Sequence, residues 1–132
     1  MPKITRFGRR AVWMLVGVAA LCMSTAAAQD EAGQVTFNNA CRTCHSLDEG
    51  DNRLGPHLHG IIGREAGSLP DFAYSANMKN SDLVWDEQNL DAFIENPDDV
   101  ISGNRMKPYG GMTSAEDRAA IVAFLKSQSG GN

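Results

Sequence analysis

Two thiols and a histidine lie close together near the start of the chain. The segment CRTCH places Cys41 and Cys44 three residues apart, and His45 follows directly. A structural disulfide does not need the histidine, a zinc site needs a fourth ligand, and a thioredoxin-like thiol pair has no use for it. The chemistry that uses all three residues at this spacing is the covalent attachment of a c-type haem.

The spacing also predicts how these residues would act. Residues i and i+3 of a helical turn share one face, so each thiol can add to one vinyl group of a haem lying across that face. His45 can then turn its imidazole under the iron as the proximal ligand. The sequence therefore predicts one haem c, attached through Cys41 and Cys44.

The first 28 residues differ in composition from the rest. An apolar run, AVWMLVGVAALCM, and the small residues STAAA follow a basic start formed by Lys3, Arg6, Arg9 and Arg10. This is the pattern of a secretory signal peptide. We expect cleavage after Ala28, a single domain over residues 29–132, and a periplasmic location, which suits a haem attached outside the bacterial cytoplasm. An uncleaved membrane anchor is the alternative, although the apolar run is short for a span.

Loss of that leader would change the charge and the thiol count. All 16 acidic residues but only eight of the 12 basic ones follow residue 28, so the remaining domain carries a net charge of −8. A domain this acidic is a poor candidate for binding nucleic acid or anionic membranes. Cys22 would also be lost, so no second cysteine pair remains for another disulfide or metal site.

Helical signals lie at both ends of the domain and at one place between. Ala32, Val35 and Ala40 lie near helical spacing after a possible N-cap, Asp30. Further along, Asp86 can cap a helix that must end before Pro97. A third helix is predicted after Thr113, which forms a capping box with Glu116. No alternating run predicts a strand.

The 40 residues between His45 and Asp86 show little regular pattern and are rich in glycine. A compact domain rarely keeps a structureless segment of that length. Disorder is a poor explanation, because large apolar residues are interspersed: Leu58, Ile61, Ile62, Phe72, Tyr74 and Trp85. A bound cofactor packed under this segment accounts for both observations.

Several further stretches extend the pattern beyond the haem motif. They are GPHLHGIIGREAG, FAYS, LVW, FIENP and GNRM, together with the C-terminal helix. With CRTCH they make the chain, from about Gly33 to Leu125, resemble the class I c-type cytochromes, close to mitochondrial cytochrome c and its periplasmic bacterial relatives. The resemblance implies an all-α fold whose helices wrap round one covalently bound haem. It also implies that Gly33 and Phe37 of the first helix meet Ile121 and Phe124 of the last.

The resemblance also implies the remaining site residues. Met106 would be the distal iron ligand, with Met78 and Met112 as the other candidates. The carbonyl group of Pro56 would accept the Nδ1–H of the proximal histidine. Donors to the haem propionates would be Arg64, Tyr74 and Trp85, although Trp85 could equally be a core residue.

Three positions near the predicted site have other expected roles. His57 and His59 are expected to brace the loop or lie at the surface, and we assign neither to the iron. Phe93 is a departure, because the family commonly has a tyrosine there whose hydroxyl approaches the methionine sulfur.

The expected function is one-electron transfer by a soluble carrier without enzymatic turnover. The alternatives are a peroxidase-like haem enzyme with a labile distal ligand and a membrane-tethered cytochrome. Partners would be redox proteins, either a respiratory or photosynthetic membrane complex or a periplasmic dehydrogenase or oxidase, with no nucleic acid and no small-molecule substrate. A monomer is expected. Few basic residues are left to flank the haem edge: Arg42, Arg105 and Lys107.

Overall fold

Helices dominate the regular structure of the chain. A computed structural model describes residues 20–130, with side chains from residue 25 onward. Its helices are α1 (Ala20–Ala40), α2 (Ala76–Lys79), α3 (Glu87–Glu95), α4 (Pro97–Val100) and α5 (Ala115–Ser129). Over this range no strand forms, and the only β pairing recorded is an isolated antiparallel bridge between Glu65 and Val84. The all-α prediction is confirmed.

The predicted leader falls mostly outside the part of the chain that the structure describes. Among the described helices, none combines the length and the apolar character that crossing a bilayer requires. The helix α1 runs through residue 28 without a break. Asp30 is therefore inside a helix and not at its N-cap, so that prediction is wrong. Its carboxylate instead accepts a hydrogen bond from the Ser127 hydroxyl of α5, at 2.6 Å.

The first and last helices cross at very close range. An ideal Cβ on Gly33 would lie 2.4 Å from the carbonyl oxygen of Ala120 and 2.6 Å from the Cβ of Phe124, so only glycine allows this approach. One turn later the rings of Phe37 and Phe124 pack with their centroids 5.7 Å apart. Ile121 is fully buried in the same core. The predicted crossing of α1 and α5 is present.

The helix α3 begins and ends where its sequence predicts. The side chain of Asp86 accepts from the backbone N–H of Asn89 at 2.8 Å, and the Asn89 side chain accepts from the N–H of Asp86 at 3.0 Å. This reciprocal pair satisfies two of the free donors at the helix start. The apolar stripe of the helix is buried and consists of Leu90, Phe93 and Ile94. Pro97 opens α4 directly after the C-cap Asn96.

The start of α5 lies one residue later than the sequence predicts. The N-cap is Ser114, whose hydroxyl accepts from the backbone N–H of Asp117 at 3.2 Å. The capping box of Thr113 and Glu116 is therefore wrong. The Thr113 carbonyl instead accepts from the buried Arg118 side chain at 3.1 Å. Arg118 also reaches α3 through an ion pair with Asp91 at 3.1 Å, which fixes α5 against α3.

Backbone hydrogen bonds fix part of the long irregular segment between His45 and Asp86. Three backbone hydrogen bonds of 2.7–2.9 Å join residues 63–66 to residues 83–85. Gly67 follows with a φ of +68°, and a Cβ there would lie 2.6 Å from the carbonyl oxygen of Met78. Glycine is therefore required on both conformational and steric grounds. The second half of the segment is thus a loop that backbone hydrogen bonds hold in place. Its inner side borders a cavity.

Candidate haem-binding site

A largely apolar cavity of about 470 Å³ is lined by residues of α1, α3, α5 and the loops between them. This volume is within the range of pockets that hold organic ligands. Its walls include the irregular segment, α3 and the loop before α5. The walls contain every residue that the sequence predicts for the site: Cys41, Cys44, His45, Pro56, Arg64, Tyr74, Trp85 and Met106.

The two thiols lie on a single turn that continues from the end of α1. The backbone N–H groups of Cys44 and His45 both donate to the carbonyl of Cys41, at 3.1 and 3.0 Å. Both thiols are free and half-buried. Burial, and secondarily the neighbouring Cys44, raises the pKa of the Cys41 thiol to about 11. In the haem-free chain Cys41 is therefore a neutral thiol that faces the cavity.

His45 offers one nitrogen to the cavity and uses the other on the backbone. Its Nδ1 lies 2.7 Å from the carbonyl oxygen of Pro56, as the resemblance implied. A carbonyl can only accept, so Nδ1 carries the proton and Nε2 keeps its lone pair. Burial is the main cause that lowers the pKa of His45, and the charge of Arg64 lowers it further. The ring is thus held neutral in the tautomer that an iron ligand requires.

Gly55 makes room for that ring. A Cβ at this position would lie 2.3 Å from Cε1 of His45 and within 2.8 Å of both ring nitrogens. Any side chain here would displace the imidazole from the Pro56 carbonyl. The glycine of the GPHLHG stretch therefore has a steric role in the site.

The three candidate methionines occupy different places. Met106 and Met78 both line the cavity, whereas Met112 does not. Met112 packs on the core, and its backbone N–H donates to the Ile94 carbonyl at 3.0 Å. Met78 belongs to the short helix α2, and Met106 lies on the loop between α4 and α5. Met112 is a packing residue here, and Met78 is the remaining rival of Met106.

Arg64 has donors left over after bracing the loop. Its guanidinium donates to the carbonyls of His57 at 2.8 Å and of His59 at 3.2 Å. An arginine carries five N–H donors, so three remain for another acceptor. The group lines the cavity, where a partly buried carboxylate would need such a charge-assisted partner.

Two aromatic donors line the same cavity. Trp85 is buried and packs edge-on against Phe93, with ring centroids 5.0 Å apart. Its indole N–H has no hydrogen-bond partner among the described residues. Burial raises the pKa of Tyr74, and Arg64 partly offsets this, so its hydroxyl keeps its proton at neutral pH. Trp85 is thus a core residue that also has a free donor.

On the α3 side of the cavity, the described residues provide no tyrosine hydroxyl that is free to reach a methionine sulfur. Phe93 lines this wall and has no donor. Tyr109 also lines it, but its hydroxyl donates to the carbonyl oxygen of Ile94 at 2.7 Å. Its pKa is raised to about 12, chiefly by burial, so this hydrogen bond persists over the working pH range.

Sequence reasoning missed one residue that contacts the loop of Met106. Asn104 is 5% exposed, and its side-chain oxygen accepts from the backbone N–H of Met106 at 2.9 Å. The sequence could have predicted this contact, since an asparagine side chain often bonds to the backbone two residues further on. His57 and His59 do not line the cavity, which agrees with assigning neither to the iron.

The residues present fit a haem. Two thiols, a neutral imidazole with a free nitrogen, two thioethers and three polar donors line one apolar cavity. This set of side chains suits a covalently attached haem c.

Comparisons with known proteins agree with this reading. The family profile for cytochrome c matches residues 31–129. A cytochrome c of Tetrahymena pyriformis is 42% identical over 96 residues, which cover 73% of this chain and 85% of that protein. A cytochrome c2 of Rhodomicrobium vannielii is 36% identical over 129 residues, or 97% of this chain and 96% of that protein. The cytochrome c of Euglena viridis is 37% identical over 97 residues, which cover 74% of this chain and 94% of that protein. The chain therefore belongs to the cytochrome c family, whose members are electron carriers and not enzymes, and it binds haem c through Cys41 and Cys44.

Proposed function

We propose that this protein is a periplasmic one-electron carrier whose haem iron is held between His45 and Met106. The observation that carries the proposal is that both side chains line one cavity, beside the two thiols. Nδ1 of His45 is bonded to Pro56, and Nε2 has no hydrogen-bond partner among the described residues.

The haem, when bound, supplies one-electron exchange between ferrous and ferric iron. His45 holds its imidazole in a fixed orientation through the Pro56 carbonyl, which keeps that ligand in place in both oxidation states. Met106 offers a soft thioether, which favours ferrous iron and so raises the reduction potential. With His45 and Met106 both held by the iron, the protein would offer no open site for a substrate.

The polar wall of the cavity has a separate task. Arg64, Tyr74 and Trp85 supply donors on the side of the irregular segment, and we assign them to the haem propionates. A carboxylate that is partly removed from water loses solvation energy unless such donors replace the water. Arg64 adds a positive charge to this group and is itself fixed by the His57 and His59 carbonyls.

The proposed location rests on the leader. A basic start, an apolar run and small residues precede the domain, and the match to the cytochrome c2 of Rhodomicrobium vannielii covers so much of this chain that it includes part of the leader. Export would deliver the thiols to the compartment where c-type haems are attached. The partners there would be other redox proteins, such as a respiratory or photosynthetic membrane complex.

Substitution of the cavity methionines tests the proposed ligation. Met106→Ala should open one coordination position, lower the reduction potential and allow azide to bind the ferric protein. Met78→Ala is the matched control, because it removes the other thioether of the same cavity. It should leave the potential and azide binding close to those of the wild type. The reverse pattern would show that Met78 is the ligand and that the assignment to Met106 is wrong.

A further inference from the structure

The loop that carries Met106 is short of regular structure. It lies between α4 and α5, which end and begin at Val100 and Ala115. Gly103 within it has a φ of +70°, a left-handed conformation that marks a turn. Something other than helix hydrogen bonds must therefore fix the backbone at Met106.

Asn104 supplies the first fixed point. Its Oδ1 accepts from the backbone N–H of Met106 at 2.9 Å, while its Nδ2 donates to Asp98 Oδ1 at 2.9 Å and to the Ile101 carbonyl at 3.0 Å. The side chain is buried. Since the oxygen faces a donor and the nitrogen faces two acceptors, the amide can sit in only one orientation.

Asp98 supplies the second fixed point. One of its carboxylate oxygens accepts from Asn104, and the other accepts from the ammonium group of Lys107. Asn104 lies two residues before Met106 and Lys107 lies one residue after it. The Asp98 carboxylate therefore bonds to the chain on both sides of the methionine. The ion pair with Lys107 is about half exposed, and such pairs contribute little alone. The buried bonds of Asn104 cost more to lose.

We infer that Asn104 and Asp98 are positioning residues that keep the Met106 sulfur in place as a ligand. This inference rests on the proposed ligation by His45 and Met106. The two residues act through the backbone of Met106, so their loss should release the sulfur more often without changing its chemical nature. We call the set of Asp98, Asn104 and Lys107 the methionine clamp.

The test is the rate at which imidazole replaces the methionine in the ferric, haem-loaded protein. When replacement must wait for the sulfur to leave, the observed rate reaches a plateau at high imidazole, and the plateau equals the rate of methionine dissociation. Asn104→Ala should raise this plateau about tenfold, the change expected for one net hydrogen bond to the ligand residue. Asp98→Ala should raise it in the same direction by a smaller factor.

Two controls separate this role from a general loss of stability or charge. Asp99→Ala removes the neighbouring carboxylate of the same helix, which forms no hydrogen bond or ion pair with any described residue, and should leave the plateau unchanged. Gly33→Ala disturbs the crossing of α1 and α5 far along the chain and should also leave it unchanged. If Asn104→Ala does not yield a haem protein, Asp98→Ala carries the test, because Asp98 is exposed.

The outcomes distinguish this inference from the proposed function. A wild-type ferric protein that is already high-spin before imidazole is added would mean that no protein ligand has to leave, which overturns the proposed ligation and the clamp together. A wild-type plateau that Asn104→Ala and Asp98→Ala both leave unchanged would overturn the clamp alone. A plateau that Gly33→Ala raises as much as Asn104→Ala would also overturn it, because general stability would then explain the effect.

Discussion

At the scale of single residues, the role of each polar atom in the site depends on whether it already forms a hydrogen bond within the protein. Nδ1 of His45 donates to the Pro56 carbonyl, and the Tyr109 hydroxyl donates to the Ile94 carbonyl. Arg64 uses two of its donors on backbone carbonyls. What remains available to the cavity is one imidazole nitrogen, the thioethers of Met78 and Met106 and the spare donors of the polar wall. Atoms bonded within the protein therefore support the site, and the remaining atoms are available to the haem.

A buried histidine outside the cavity predicts a pH dependence. Nδ1 of His57 is buried with no hydrogen-bond partner among the described residues. Burial is the largest cause that lowers the His57 pKa, Arg64 and His59 lower it further, and Glu49 and Asp51 partly oppose them. The unfolded chain therefore binds this proton more readily than the folded one. Stability is full above the unfolded pKa of about 6.5 and is lost as the pH falls below it.

The measurement is the free energy of unfolding of the haem protein between about pH 7.5 and 5.5, where carboxylates stay largely ionised. The wild type should lose stability over this range, and His57→Asn should lose less. His59→Asn removes the adjacent imidazole and keeps His57, so the wild-type dependence should persist. Equal slopes for the wild type and His57→Asn would contradict this account.

The sequence predicts most residues that line the cavity and the contact of His45 with Pro56, but it does not predict the other supporting contacts. The CRTCH motif points to its ligands because the chemistry requires a fixed local spacing. Asn104 lies next to a predicted ligand, yet its contact with Asp98 depends on a turn at Gly103 that residue types alone do not determine. The sequence likewise does not determine the partner of the Tyr109 hydroxyl, since only the structure shows that it donates a hydrogen bond to the Ile94 carbonyl.

At the scale of the elements, caps and close contacts decide where the helices lie. Asp86 was predictable as an N-cap because its partner Asn89 and the stop at Pro97 lie within one short stretch. Thr113 and Ser114 are both good caps by residue type, and in the structure Ser114 is the N-cap while the Thr113 carbonyl accepts from Arg118. Asp30 failed as a cap because α1 begins earlier in the chain.

The crossing of α1 and α5 predicts the effect of adding one methyl group. Gly33→Ala gains about 1 kcal/mol of helix propensity. It also forces a Cβ against the Ala120 carbonyl and the Phe124 side chain, and overpacking of this kind costs about 1–3 kcal/mol or more. Because the nearest atom is backbone, we expect a net loss of stability in denaturant unfolding. Gln34→Ala, at an exposed position of the same helix, should change it by less than about 0.5 kcal/mol. A Gly33→Ala protein more stable than the wild type would show that the helices do not cross this closely.

At the scale of the whole molecule, the charge does not favour an acidic partner. The domain after residue 28 carries eight basic and 16 acidic residues. Half of those basic residues are engaged in ion pairs with acidic neighbours: Arg53, Lys107, Arg118 and Lys126. Of the exposed cations that line the cavity, Lys107 is paired with Asp98, which leaves Arg105. Leu54, which also lines the cavity and is 79% exposed, offers an apolar contact instead.

Docking should therefore depend on short-range contact and little on long-range attraction. We expect the association rate with an acidic redox partner to stay flat or rise as salt screens the net repulsion. Stopped-flow measurements across ionic strength provide the test. Asp98→Asn, which frees Lys107, is the informative variant and should introduce a fall in rate with salt. A steep fall for the wild type would show that Arg105 and its neighbours attract the partner despite the net charge.

The central claim is that both axial positions of the haem iron are filled by His45 and Met106, so that the protein carries electrons and turns over no substrate. The most direct test is the absorption spectrum of the oxidised protein as purified, without added ligand. We predict low-spin iron with a sulfur-to-iron charge-transfer band, and we predict that Met106→Ala abolishes that band. High-spin iron in the wild type, with no such band, would contradict the account and favour a cytochrome with an open distal site.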